Sequence, residues 1–142
     1  MEPRVSFITL AVADRDASRR FYVEGLGWPA AFDDIDVIML QVGPQLVLSL
    51  WERDAFAAEV GEQPSSGLAP ITLAHNVATR TEVDAALEQA RRAGASSVTA
   101  AEHREWGGYS GYFADPDGFR WEVCWNPGEI GKVVLPEVSE HG

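Results

Sequence analysis

Tyr109-Ser110-Gly111-Tyr112-Phe113-Ala114, then Asp115-Pro116-Asp117-Gly118, then Phe119-Arg120-Trp121-Glu122-Val123-Cys124-Trp125 read as two strands and the turn between them. The flanking runs are rich in aromatic and apolar residues, as strands are. In the middle, proline fixes one φ and glycine tolerates a positive one, so 115–118 is a hairpin turn, and its carboxylates are structural.

Upstream of this hairpin a third strand is expected over 97–101. Before it comes a helix with both ends marked. Thr79 and Glu82 have the Ser/Thr-x-x-Glu spacing of a capping box. Val83, Ala86, Leu87, Ala90 and Ala93 form an apolar face, and Gly94 stands where a left-handed C-cap belongs. Residues 70–78 read as the strand that feeds this helix. The connection before them, 62–67, collects Pro, Ser and Gly.

The first half has the same order of elements. Residues 5–13 are β-branched and apolar, and Asp14 can cap a helix running through Phe21, Tyr22 and Leu26 to Gly25 or Gly27. A short strand is expected over 28–32. Residues 37–42 and 46–51 then form a hairpin about Gly43, Pro44 and Gln45, and 52–61 has helical spacing. Strand, helix and three strands thus occur twice, which predicts a pseudo-symmetric α+β domain of two βαβββ modules. The domain is expected over 1–128, with modules at about 1–62 and 68–128. Residues 129–142 are read as a C-terminal tail.

The 142 residues carry 22 acidic against 11 basic side chains, a formal charge of -11 that repels phosphate backbones and argues against nucleic acid as a partner. The same acidity suits either simple solubility or a pocket that attracts cations. The single cysteine, Cys124, forms no internal disulfide and no Cys-x-x-Cys zinc pair. Asp14, Arg15 and Asp16 interrupt the first apolar run, so no signal peptide is expected, and the apolar runs are strand-sized, far below the roughly 20 residues of a membrane span. A soluble, cytoplasmic protein without membrane contact is expected. No phosphate-binding or dinucleotide-binding glycine pattern is present, so no nucleotide cofactor is expected.

Val12-Ala13-Asp14 with Ser18, Phe21, Tyr22, Leu26 and Gly27 resembles the opening pattern of glyoxalase-like proteins. The stretch from Trp106 to Gly118, with Trp121-Glu122-Val123 and Asn126-Pro127, resembles the closing signature of the same family, the vicinal oxygen chelate superfamily (glyoxalase/bleomycin resistance protein/dioxygenase). Leu73-Ala74-His75-Asn76-Val77 with Glu82-Val83-Asp84 is similar to a glyoxalase-like subfamily with generic names. The resemblance runs from Val5 to about Pro127 and implies modules whose cupped mixed sheets carry helices outside and a pocket inside.

In the family's metal enzymes the ligand positions match Phe7, Leu48 or Ser49, Thr72 and Glu122 here. Only Glu122 is an ordinary ligand, whereas a divalent site needs three or four converging donors. No metal or other cofactor is therefore expected. Glu122 is the candidate catalytic residue, as general base or as the grip on a cationic ligand, with an ion pair to Arg120 as its structural alternative. Phe7, Trp51, Thr72, Asn76, Trp106, Tyr112 and Arg120 are the candidate ligand-binding residues. The aromatic ones offer flat faces, and Asn76 offers an amide for a carbonyl. His75 has the opposite strand parity to Thr72 and Asn76 and is assigned to the helix side, His103 to solvent, and Cys124 to the face of Glu122.

Two functions fit. One is a metal-independent protein that binds and sequesters a small molecule, as bleomycin-resistance proteins do. The other is a lyase or isomerase of the glyoxalase I type, with Glu122 moving a proton beside a carbonyl. An extradiol dioxygenase would need a two-histidine, one-carboxylate triad that the matched positions lack. A symmetric homodimer is expected by resemblance.

Overall fold

Asp14 accepts a hydrogen bond from the Asp16 amide and caps helix α1 (Arg15–Arg19), which follows strand β1 (Phe7–Val12) in the computed structural model, whose described residues are 1–137. The expected single helix changes character after α1. Residues Arg20–Gly25 form a π-helical turn, with the Leu26 amide bonded to the Phe21 carbonyl. Phe21 and Tyr22, consecutive and fully buried, meet edge to face at 4.9 Å. A π-turn is wider than an α-turn, and here it accompanies the seating of two adjacent aromatics in one core.

Strands β2 (Ala30–Asp33), β3 (Val37–Gly43) and β4 (Leu46–Glu52) complete a four-stranded sheet in the order β1-β4-β3-β2. β1 runs parallel to β4 and the other pairs are antiparallel. Alternation places Leu10, Val12, Ile38, Leu40, Leu48 and Leu50 on one face, all buried, with α1 and the π-turn as cover. Arg15 ties α1 down: its amide donates to Glu52 and its guanidinium to the Asp34 carbonyl and the Asp33 carboxylate. Helix α2 (Arg53–Val60) ends at Gly61, which has a positive φ. The chain divides between Ala69 and Pro70 into two compact units.

The second unit starts with β5 (Thr72–Asn76) and α3 (Arg80–Ala93). Both halves of the capping box form: the Glu82 amide donates to Thr79 Oγ1, and the Thr79 amide donates to the Glu82 carboxylate. Val83, Leu87 and Ala90 are buried, and Gly94 takes the left-handed C-cap. The expected strand over 97–101 is cut short: β6 spans only Ser97–Val98, and a second short strand, β7 (Glu102–His103), follows beyond the expected bounds. The interruption comes from a contact across the sheet. Thr99 Oγ1 accepts from the Tyr112 amide, taking a bond that a strand carbonyl would otherwise take. Strands β8 (Tyr109–Ala114) and β9 (Arg120–Trp125) complete a five-stranded sheet with β5, β6 and β7, in which β5 pairs parallel to β9 and β8 antiparallel to it.

Helix α3 covers one face of this sheet. There Phe113 stacks on Trp121 at 5.9 Å, Tyr109 Oη donates to Asp84 at 2.7 Å, and Arg80 lies over the Trp125 ring. Gly111 sits under the helix so closely that a Cβ would come within 2.6 Å of Leu87 Cδ1. A short helix, α4 (Glu129–Val133), occupies part of the segment read as a tail, and 138–142 lie outside the described residues. Both units are mixed α and β, as the repeated element order implies. No helix among the described residues is long and apolar enough to cross a membrane.

The β8–β9 turn is closed by a buried carboxylate. Asp115 Oδ1 accepts from the amides of Asp117 and Phe119, both at 2.9 Å. Asp115→Ala leaves those amides without their acceptor and is expected to cost about 3 kcal/mol, whereas Thr79→Ala should cost about 1 kcal/mol. Urea unfolding checks both, and a lower midpoint with an unchanged slope is the expected signature.

Candidate functional site

The face of the second sheet turned away from α3 collects most of the candidate residues. Register pairs Tyr112 with Glu122, Ser110 with Cys124 and Ala114 with Arg120 across β8 and β9. On the other side it pairs Thr72 with Arg120, Ala74 with Glu122 and Asn76 with Cys124 across β5 and β9. Paired residues share a face, so Thr72, Asn76, Tyr112, Arg120, Glu122 and Cys124 all project together. His75, paired with Val123, lies on the helix side, as its parity requires. Part of His75 is open to solvent, yet desolvation of its ring lowers its pKa.

Glu122 Oε2 accepts a 3.0 Å hydrogen bond from Tyr112 Oη. Arg120, the alternative partner, instead donates to the Gly118 carbonyl at 2.7 Å. Geometry explains the choice. Tyr112 stands directly opposite Glu122 on the neighbouring strand, where Cβ atoms lie about 5 Å apart, while Arg120 is two residues away along the same strand and curls back over its own turn. Desolvation, and then the bond to Glu122, push the Tyr112 phenol above the ordinary tyrosine value. Burial, and then the Glu122 charge, raise the Cys124 thiol, which therefore stays protonated and unreactive near neutral pH.

Arg104, one residue beyond β7, had no role in the sequence reading. Its Nε donates to Ser110 Oγ and its Nη2 to the Ser110 carbonyl, both at 2.9 Å, and its Cζ lies 6.0 Å from the Tyr112 ring centroid. Because Ser110 and Tyr112 share the Glu122 face, so does this guanidinium. The signal available in the sequence was an arginine just upstream of the Trp106-Gly107-Gly108 stretch. Its placement depends on β7 pairing with β8, and a two-residue strand leaves no periodicity to read.

The remaining candidates stand elsewhere. Phe7 and Trp51 share one face of the first sheet, with Phe7 exposed and Trp51 edge-on to Phe56 at 6.2 Å. Ser49 lies on that face too and is itself buried, whereas Leu48 lies on the opposite face, so of the two residues considered for the fourth-strand position Ser49 is the one that shares the face of Phe7. Trp106 is exposed, and its indole lies against Gly108, where a Cβ would collide with the ring. Among the described residues no hydrogen bond or ring contact joins it to the Glu122 face.

A scan against family models matches residues 4–123 to the Glyoxalase/Bleomycin resistance protein/Dioxygenase superfamily. The chain belongs to this superfamily. Among solved structures, a glyoxalase-related enzyme from Fulvimarina pelagi is 38% identical, with 89% of this chain and 90% of that chain covered and a TM-score of 0.82. A lactoylglutathione lyase from Agrobacterium tumefaciens shares the fold at 18% identity, covering 88% of this chain and 95% of that one with a TM-score of 0.70. An uncharacterized protein of Mycobacterium bovis is 42% identical over 59 residues, a match that spans 42% of this chain and only 37% of that protein.

Some members of the superfamily hold a divalent metal, which needs several converging donors. Phe7 offers no lone pair, Ser49 and Thr72 offer neutral hydroxyls, and Glu122 is engaged by Tyr112. Among the described residues no three His, Cys, Asp or Glu side chains are grouped to hold a metal ion. These residues do not fit a divalent cation.

The raised Tyr112 phenol yields a pH prediction. Stability derived from keeping it protonated is complete below the ordinary tyrosine pKa and is lost as pH rises through the raised one. In a Tyr109→Phe background, which removes the second raised tyrosine, ultraviolet titration should show Glu122→Gln lowering the Tyr112 transition. A superimposable curve would mean that no carboxylate charge acts on the phenol.

Proposed function

We propose that this superfamily member binds a small organic molecule without a bound metal, holding it against the Tyr112–Glu122 face and sequestering it as bleomycin-resistance proteins do. The observation that carries the reading is a set of polar groups with bonding capacity to spare. Tyr112 engages Glu122 Oε2, while Glu122 Oε1, the Asn76 amide and the Thr72 hydroxyl make no side-chain hydrogen bond to any described residue. Thr72 is exposed and Asn76, Tyr112 and Glu122 are half-buried, so a ligand can reach them. Groups of this kind on a rigid sheet orient a ligand without having to be ordered first.

The metal-dependent lyase reading lacks a Lewis acid, because the residues at the ligand positions supply one carboxylate and no imidazole. Residues 1–128 are read as one domain of the family because the match over 4–123 runs through both units. The cytoplasm and a homodimer belong to the same reading, the dimer being checked by light scattering.

Metal analysis of protein purified without chelator, with a thermal-shift series against divalent cations, tests the proposal. Less than about a tenth of an equivalent of metal and no cation-specific shift are expected, compared with the several kcal/mol that a saturating site would add. Glu122→Gln should fold normally and lose ligand capture. Stoichiometric metal, or turnover of a small carbonyl compound that disappears in Glu122→Gln, would replace this proposal with the lyase or isomerase reading.

A further inference from the structure

Arg104 is a guanidinium in search of an anion. Its side chain is 29% exposed, so most of it is removed from water, yet its closest partners are the neutral hydroxyl and carbonyl of Ser110. Its ion-pair partner among the described residues, Glu102, is 3.4 Å away and 70% exposed, a weak and solvent-screened contact. Of the five N–H donors on a guanidinium, three point at Ser110 and Glu102, which leaves one on each terminal nitrogen. Two spare donors on neighbouring nitrogens can serve the two oxygens of a carboxylate.

Ser110 fixes where those donors stand. It is fully buried near the start of β8, and it holds Arg104 through both side chain and main chain, so the guanidinium has little freedom to swing away. Two residues along the same face is Tyr112, with Glu122 beyond it across the ladder. One face therefore presents a cation with open donors, a phenol between, and a carboxylate with an open acceptor oxygen.

Building on the proposed binding site, we infer that Arg104 is its specificity-determining residue and that the ligand is a small carboxylic acid carrying a second hydrogen-bond donor. The acid group pairs with Arg104, the donor, a hydroxyl or ammonium, reaches Glu122 Oε1, and the Tyr112 ring lies under the carbon frame between them. A neutral molecule leaves Arg104 unpaired, and a simple cation is repelled by it. The overall acidity of the chain raises the need for a local positive group, because an organic acid approaches this protein against its mean field.

Mandelate, which has a carboxylate, an adjacent hydroxyl and a ring, and mandelamide, its neutral counterpart, serve as probes in amide NMR titrations of the full chain. Mandelate should shift resonances of β8 and β9 around Tyr112 and Glu122, and bind at least about tenfold more tightly than mandelamide, the factor expected of a charge-assisted pair. Arg104→Gln should abolish that preference, and Arg104→Lys, which keeps the charge but not the fork, should retain part of it. Added salt should weaken mandelate binding and leave mandelamide unchanged. Equal affinities for the two probes, or a preference that survives in a folded Arg104→Gln, would overturn the role of Arg104 while leaving the Glu122 site standing. If neither probe perturbs β8 or β9, both the role and the site are refuted.

Discussion

The Asp115 carboxylate, buried at the base of the β8–β9 hairpin, accepts two backbone amides, and the main chain of the same residue pairs with Phe119 and Gly118. These bonds set the turn, and the turn sets the register of everything after it. A slip of one residue would send each side chain of β9 to the opposite face. Glu122 would then point under α3, where Trp121 and Val123 now pack, and Tyr112 would lose its partner. A buried charge spent on backbone amides is costly unless every lone pair finds a donor, and here it binds the geometry of the site to the stability of the hairpin.

The two faces of the second sheet divide the work. Toward α3 the sheet packs apolar and stacked side chains with a Tyr109–Asp84 hydrogen bond among them, and Gly111 is needed because Leu87 and the Thr99 carbonyl leave no room for a Cβ. Away from α3 the same strands carry Tyr112 and Glu122, and Ser110 anchors Arg104 beside them from the segment after β7. The half that stabilises and the half that can bind are separated by the thickness of one sheet. On that face Thr72 is exposed and Asn76, Tyr112 and Glu122 are half-buried, so substitutions at these positions trade less core packing than at the buried Ser110, Ala114 and Cys124.

Family membership and fold settle less about chemistry than the side chains do. A lyase and proteins without a described activity share this fold, and at 18% identity the likeness carries the fold alone. What the side chains of this chain show is a Tyr112–Glu122 hydrogen bond with the Arg104 guanidinium 6.0 Å from the Tyr112 ring.

Much of this was legible in the residues themselves. Caps at Asp14, Thr79 and Gly94, the turn at 115–118 and strand parity are local properties, governed by the backbone preferences of a few neighbouring residues, and they suffice to give the order of elements and the faces of Thr72, His75, Asn76 and Glu122. Three features could come only from contacts between distant parts of the chain. The π-turn after Arg19 accompanies the burial of Phe21 and Tyr22. The split of the expected strand over 97–101 depends on where Thr99 meets Tyr112, and the partner of Glu122 depends on which strand lies next to β9. Arg104 is the clearest case: its chemistry is plain in the sequence, but its place on the Glu122 face arises from a two-residue strand and a buried serine, and a pairing that short has no period for a sequence to display.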